Sequence, residues 1–247
     1  ITVFDAQGNY LRSVGGPEHL LNPVDVAVDP IDGRIHVADS HLHQIVTFSS
    51  DGELLGRLGV TDALPADVRE RHARAEDSNE PRGPIDAYQN RSGEPGEFRF
   101  PLSLAVTRDG TLYVSDGLNF RVQVFDRFGN YVRQIGELGD GPGSFARPKG
   151  IAVDSYGHLY VADASFNNVQ VFDAEGNLLL AFAEGGQGEG QILLPLGLSL
   201  DAQDRIWIAD RFNNRTQVFQ YIAGSEGGGA IATEDVVTTA GEPAGSR

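Results

Sequence analysis

Two histidines one residue apart, His41 and His43, lie in the stretch Ala38-Asp-Ser-His-Leu-His-Gln44. Alternating imidazoles are half of a metal site, because zinc takes three or four protein ligands. The 247 residues contain no cysteine, which excludes thiolate ligands, disulfides and thiol nucleophiles. Without a third ligand in view, the pair reads as a loop contact and not as a metal centre. Lys149 is the chain's only lysine. Its ammonium has two readings: pairing with an acidic neighbour, which the excess of carboxylates favours, or holding an anion. Asp39, Asp116, Asp163 and Asp210 recur at matching positions, with Asn119, Asn167, Asn213 and Asn214 just behind them. Such regular recurrence points to acceptors for loop N–H groups, not to reacting carboxylates. Arg121 and Arg215 are expected to pack and pair between neighbouring repeat units. Trp207 is expected to fill the core where the second and third copies have tyrosine. No Ser-His-Asp arrangement, phosphate-cradling glycine loop or Cys–His pair is present. The residues thus nominate no catalytic, cofactor-binding or metal-binding group.

The elements that carry these residues are copies of one sentence. It reads PVDVAVDPIDGRIHVADSHLHQIVTF from Pro23 and PLSLAVTRDGTLYVSDGLNFRVQVF from Pro101. From Pro148 it reads PKGIAVDSYGHLYVADASFNNVQVF, and from Pro195 PLGLSLDAQDRIWIADRFNNRTQVF. The last three begin 47 residues apart, and the step from Pro23 to Pro101 is one period plus an insertion of 31. A truncated copy, ITVFDAQGNYLRSVGG, opens the chain. Each copy alternates short β-branched runs with turn residues, which predicts four antiparallel strands. In the third copy these are residues 150–154, 158–163, 169–172 and 178–182, followed by a Gly/Pro-rich crossover. Repeats of this length with strand content cannot bury their apolar faces singly, and the pattern is that of a propeller blade. The expected fold is therefore an all-β β-propeller of four-stranded blades, about four and a half of them visible. The blade segments are 1–16, 23–59, 101–136, 148–182 and 195–222. The final copy reads as stopping after its third strand, with the missing outer strand supplied from upstream of Ile1.

Lys and Arg total 19 against 35 Asp and Glu, a formal net charge of −16. Such a field repels phosphate backbones, and no Lys/Arg cluster offsets it, so nucleic acid is excluded as a partner. No run approaches the length of a membrane helix, so direct membrane insertion is not expected. Absent cysteines, an acidic surface and the lack of any methionine read as an exported bacterial protein. It would be periplasmic or extracellular, with a targeting segment before Ile1.

The pattern P-x-G-(I/L)-A-V-D, then G-x-L-Y-V-A-D, then N-x-R-V-Q-V-F-D-x-x-G resembles the NHL repeat family. Residues 101–136 match it almost throughout, with Leu102-Ser-Leu104 in place of the glycine-containing start. The resemblance implies a propeller of six blades. One branch of that superfamily, the peptidylglycine amidating lyases, holds zinc with histidines that directly follow the repeat proline. Here those positions are Val24, Leu102, Lys149 and Leu196, and none is histidine, although the stretch Ala38–Gln44 is locally similar to that branch. Related lactonases use carboxylate and asparagine ligands near the channel, and Asp25 is the one acidic residue at an inner-strand entrance. A second branch, in tripartite-motif proteins, binds RNA through a basic face that this chain lacks.

Two regions fall outside the repeat. Residues 60–90 contain a segment, Leu64 to Asp77, with Pro65 at its start and a Glu70–Arg74 pair four apart, which predicts a thin-striped helix. Residues 223–247 are Gly/Ala/Thr-rich and read as a flexible tail. Strand parity puts the crossovers and the loops between second and third strands on one side of the blades, and the hairpin turns on the other. The loop side therefore carries the insertion, and its interaction candidates are His41, His43, Arg71, Arg74 and Lys149. The expected function is non-catalytic: a scaffold that docks another protein through this face, without cofactor. The alternative is a lyase- or lactonase-type enzyme with a metal in the central channel.

Overall fold

A computed structural model of the chain describes residues 1–59, 93–222 and 230–236. They divide into two compact units, Ile1–Gly139 and Asp140–Arg247. In the first unit, β1 (Thr2–Phe4) and β2 (Tyr10–Ser13) form a hairpin. A four-stranded antiparallel sheet follows in chain order: β3 (Pro23–Val28), β4 (Ile35–Asp39), β5 (Gln44–Phe48) and β6 (Leu54–Leu58). The next is β7 (Pro101–Val106), β8 (Leu112–Asp116), β9 (Arg121–Phe125) and β10 (Tyr131–Ile135). The second unit holds β11 (Pro148–Val153), β12 (Leu159–Asp163), β13 (Asn168–Phe172) and β14 (Leu178–Phe182). A short parallel pair, β15 (Glu184–Gly185) and β16 (Gln191–Ile192), sits in the crossover that leads to the last sheet. That sheet is β17 (Pro195–Leu200), β18 (Ile206–Asp210), β19 (Arg215–Ile222) and β20 (Ala230–Val236). The fold is an all-β β-propeller, and every full sheet is an up-and-down blade.

The local chemistry explains the strands. Each innermost strand opens on a proline, tolerated there because a strand's first residue need not donate to the ladder. Pro23, Pro101, Pro148 and Pro195 face Asp39, Asp116, Asp163 and Asp210 across the register, and each pair is followed by an irregularity. The second strands β4, β8 and β12 are buried along their whole length, which is why they are apolar on both faces. Gly150 marks the tightest approach to another strand's backbone. A Cβ there would lie 2.5 Å from the Leu198 nitrogen, so β11 and β17 meet backbone to backbone.

Aromatic residues from the crossovers lock neighbouring blades within each unit. Phe98 packs on Phe125 at 5.6 Å and joins Ala38 and Ile45 of the preceding blade. Phe145 meets Phe172 at 5.7 Å, and Ile192 joins Ile206, Ile208 and Phe219. Burying one such phenylalanine contributes about 1.5–3 kcal/mol.

One expectation is overturned. The last blade does not end at its third strand: Ala230–Val236 pairs antiparallel with β19, from Thr216 opposite Val236 to Ile222 opposite Ala230. The outer strand comes from downstream, in a stretch read as flexible tail. Averaged composition hid it, because a glycine run precedes the β-branched segment AIATEDV. The helix expected over Leu64–Asp77 lies outside the described residues.

Candidate functional site

The loop between β4 and β5 carries the histidine pair. His43 adopts φ 53°, the left-handed position held by Phe120, Asn167 and Asn214 in the corresponding loops. Asparagine and histidine tolerate that conformation better than most side chains, so His43 fits the position as Asn167 and Asn214 do. The turn brings its ring to the crossover, where the Phe100 N–H donates to His43 Nδ1 at 2.8 Å. That lone pair is therefore committed to the backbone. His41 stands edge-on to the same Phe100 ring, with centroids 6.2 Å apart. Its Nδ1 is buried without a hydrogen-bond partner among the described residues.

The two ends of the segment that breaks the repeat are anchored separately, one beside His43 and the other beside Asn119 and Arg121. Gly59, at φ 101°, leaves no room for a side chain: a Cβ would stand 2.6 Å from the His43 carbonyl oxygen. Gly93, where the described chain resumes, accepts a 2.7 Å hydrogen bond from Arg121 Nη1. Close by, the Leu118 N–H donates to the Arg99 carbonyl, and the Leu118 side chain is 46% exposed. The loop side of this unit thus brings His41 and His43 onto Phe100, with Leu118 bonded to the neighbouring Arg99 and Gly59 packed on His43. Arg71 and Arg74 lie outside the described residues.

The recurrent polar residues do structural work. The buried Asp39 accepts from the Leu21, Asn22 and Leu42 N–H groups. Asp163 accepts from Ala146, Arg147, Ser165 and Phe166. Burial pushes the Asp116 carboxyl up, against hydrogen bonds from the Arg99 N–H, Asn119 and Arg121. Arg121 and Arg215 do not pair with the next blade. Each holds the aspartate of its own blade, Asp116 at 3.0 Å and Asp210 at 2.9 Å, and donates to crossover carbonyls. Five donors in a planar fork suit an arginine to several acceptors on one side, which explains the correction. Gln123, Gln170 and Gln217 go unmarked in the sequence reading, yet they staple each crossover to its blade. Gln123 takes the Gly96 N–H and donates to the Glu97 carbonyl. Gln170 and Gln217 repeat the clamp. The signal was the Q-V-F shared by the last three copies, a polar residue inside a buried strand.

In the second unit, Lys149 follows Pro148 at the start of β11. Among the described residues it pairs with no acid. Burial, then the positive charges of Arg147 and Arg211, hold its ammonium below the ordinary lysine value. Arg147 precedes the same proline, and Arg211 follows the Asp210 that faces Pro195, so the register itself brings cations together at this strand entrance. Asp25, the acidic residue at an inner-strand entrance of the first unit, is occupied: its Oδ2 accepts from the Ser103 hydroxyl and the Leu104 N–H, both at 2.8 Å. Trp207 is half-buried, not interior. Its indole N–H donates to Asp201 at 3.0 Å beside the Arg205 guanidinium. Among the described residues, no three His, Cys, Asp or Glu side chains converge as a metal site would require.

Comparison with known proteins bears on the fold first. A family described as a 6-bladed beta-propeller matches residues 102–179. Peptidyl-glycine alpha-amidating monooxygenase A of Xenopus laevis is 36% identical over 121 residues, which is 48% of this chain and 10% of the frog protein. The chain thus spans about a tenth of the length of that curated relative. Virginiamycin B lyase from Staphylococcus aureus superposes with a TM-score of 0.57 at 12% identity, covering 95% of this chain and 62% of the lyase. A gluconolactonase of Xanthomonas campestris gives 0.54 at 20% identity, covering 85% and 61%. At such identities the likeness concerns the fold alone. Strand topology and comparisons agree on that much: the chain folds as a β-propeller.

Proposed function

We propose that the blades are NHL repeats and that the protein is a non-catalytic docking subunit, capturing another protein through the loop side of its first unit. One observation carries this reading: both stems of the repeat-breaking segment are fixed by loop residues of the first unit, Gly59 against the His43 backbone and Gly93 by the Arg121 guanidinium, next to Asn119. Loops on a rigid sheet scaffold are where binding concentrates. An exposed Leu118 and a half-buried Phe100 offer an apolar contact of the kind found at the centre of a protein interface.

The test is deletion of Leu64 to Gln89 from the full chain. The expected outcome is an intact β-sheet circular-dichroism spectrum with partner capture reduced at least about tenfold. Unchanged capture by a folded deletion variant refutes the reading.

A second reading is a propeller enzyme of the lyase or lactonase type. It is favoured by the 36% identity to the frog amidating monooxygenase and by the lyase and lactonase likenesses. Val24, Leu102, Lys149 and Leu196 at the positions that follow the repeat prolines weigh against it. Metal analysis separates the two. Stoichiometric zinc, together with turnover of a peptidyl-α-hydroxyglycine, establishes the enzyme and displaces the docking reading.

A further inference from the structure

The turn side of the second unit contains a cleft of about 620 Å³ between the blade of β11–β14 and that of β17–β20. The volume falls within the range of small-molecule sites, about 300–1,000 Å³. Its walls include Tyr156, His158, Tyr160, Leu179, Tyr221 and the carboxylate of Asp204. Tyr156 stacks on His158, with centroids 6.2 Å apart and planes 29° apart, yet remains 81% exposed. Tyr221 is 51% exposed. An aromatic surface is therefore held in place and left open.

The carboxylates divide the labour. Asp154 is saturated: Oδ1 accepts from the Tyr156 and His158 N–H groups, and Oδ2 from His158 Nδ1 at 2.8 Å and the Tyr160 hydroxyl at 3.1 Å. It orients the wall. Asp204 accepts one hydrogen bond at each oxygen, from the Ser155 N–H at 2.9 Å and the Ser155 hydroxyl at 2.6 Å. Each carboxylate oxygen has room for a second donor. Asp204 also occupies a left-handed position, φ 56°, which the equivalent turns give to Gly33, Gly110 and Gly157. A side chain stands where the fold elsewhere uses glycine, and that side chain lines the cleft.

Among the described residues no lysine or arginine lines the cleft, and His158 is the one lining group able to carry positive charge. Two carboxylates inside a chain of net charge −16 make it repel anions. Tyrosine faces beside a carboxylate attract an organic cation through both the ring quadrupole and the charge. We propose that this cleft binds a small organic ammonium compound, its apolar body against Tyr156 and Tyr221 and its ammonium on Asp204.

Isothermal titration calorimetry on the full chain tests this with three probes of one shape: phenethylammonium, 2-phenylethanol and 3-phenylpropanoate. The expected result is that phenethylammonium binds about tenfold or more tighter than the alcohol, and that the propanoate does not bind. Asp204→Gly restores the residue of the sister turns, so the fold is kept. It is expected to bring ammonium and alcohol to equal affinity, while Tyr156→Ala weakens both. No ammonium binding at millimolar concentration, equal affinity of ammonium and alcohol in the parent chain, or a preference that survives Asp204→Gly overturns the proposal. So does tighter binding of an uncharged methyl glucoside, which makes the aromatic wall a sugar platform.

Discussion

Each unit has a cleft between two blades at the same place in the repeat, and the two have opposite chemistry. In the first unit the cleft measures about 210 Å³ and is lined by Arg34, His36, Leu55, Arg57 and Arg127. In the second, His158, Tyr160, Leu179 and Tyr221 stand where the first has Arg34, His36, Leu55 and Arg127, and the volume is about 620 Å³. The first cleft spends its charges on itself. Arg34 bonds Asp29 at 2.9 Å, Asp32 at 3.0 Å and the Arg127 carbonyl at 2.9 Å, while Arg127 reaches Asp32 at 3.3 Å. The second cleft keeps its rings and one carboxylate turned to solvent. The repeat dictates where a cleft forms, and departures from the repeat decide whether it is closed by ion pairs or left open for a ligand.

The largest expected effect comes from removing the cation that closes the first cleft. Arg34→Ala strands the Asp29 carboxylate, only 1% exposed, and should cost about 2–3 kcal/mol in urea unfolding. The matched change in the second cleft, His158→Ala, leaves Asp154 with the Tyr160 hydroxyl and two N–H donors and should cost about 1 kcal/mol. Equal losses would break the contrast between a cleft held by charge and one held by packing.

A smaller effect appears with pH. Burial first, and the Arg34 charge second, hold the His36 imidazole below its ordinary value, opposed by Asp29 and Asp32. The unfolded chain therefore binds a proton below about pH 6.5 that the folded chain refuses, and stability falls as pH drops through that region. Blades two and three have tyrosine at this position, Tyr113 and Tyr160, so His36→Tyr should flatten the slope between pH 7 and 5. An unchanged slope assigns it to other groups.

The smallest effect concerns the loop side of the second unit. Lys149→Leu installs the residue that Leu102 and Leu196 supply in sister blades and removes a cation from between Arg147 and Arg211. Relief of like-charge contact should stabilise by about 0.5 kcal/mol, read as a small rise in melting temperature. A loss of stability would mean that the ammonium has a partner after all.

These contrasts also separate what the sequence discloses from what it hides. The blades are legible because strand order within a propeller follows chain order, so the period and its prolines mark every inner strand in advance. Asp39 and its counterparts are legible because their partners are local turns and the crossover just before them. Lys149 is not: the sequence-wide charge balance predicts an acidic neighbour, but the register of β17 and β18 delivers Arg211 from another blade. The clefts are hidden for the same reason, since their walls pair residues from adjacent blades. Asp204 in a glycine's place was visible as a break, and its meaning depends on Tyr156 and Tyr221 across the gap. The β20 strand was concealed by the glycine run ahead of it.

Hydrogen exchange tests directly the proposed docking through the loop side of the first unit. Amide exchange on the full chain, alone and with its captured protein bound, should slow at residues 41–43 and 93–100, next to both stems of the repeat-breaking segment. The turns at 154–158 and 201–205 should keep their rates. Slowing confined to those turns, with residues 41–43 and 93–100 unchanged, would contradict the claim and move the interaction surface to the turns of the second unit.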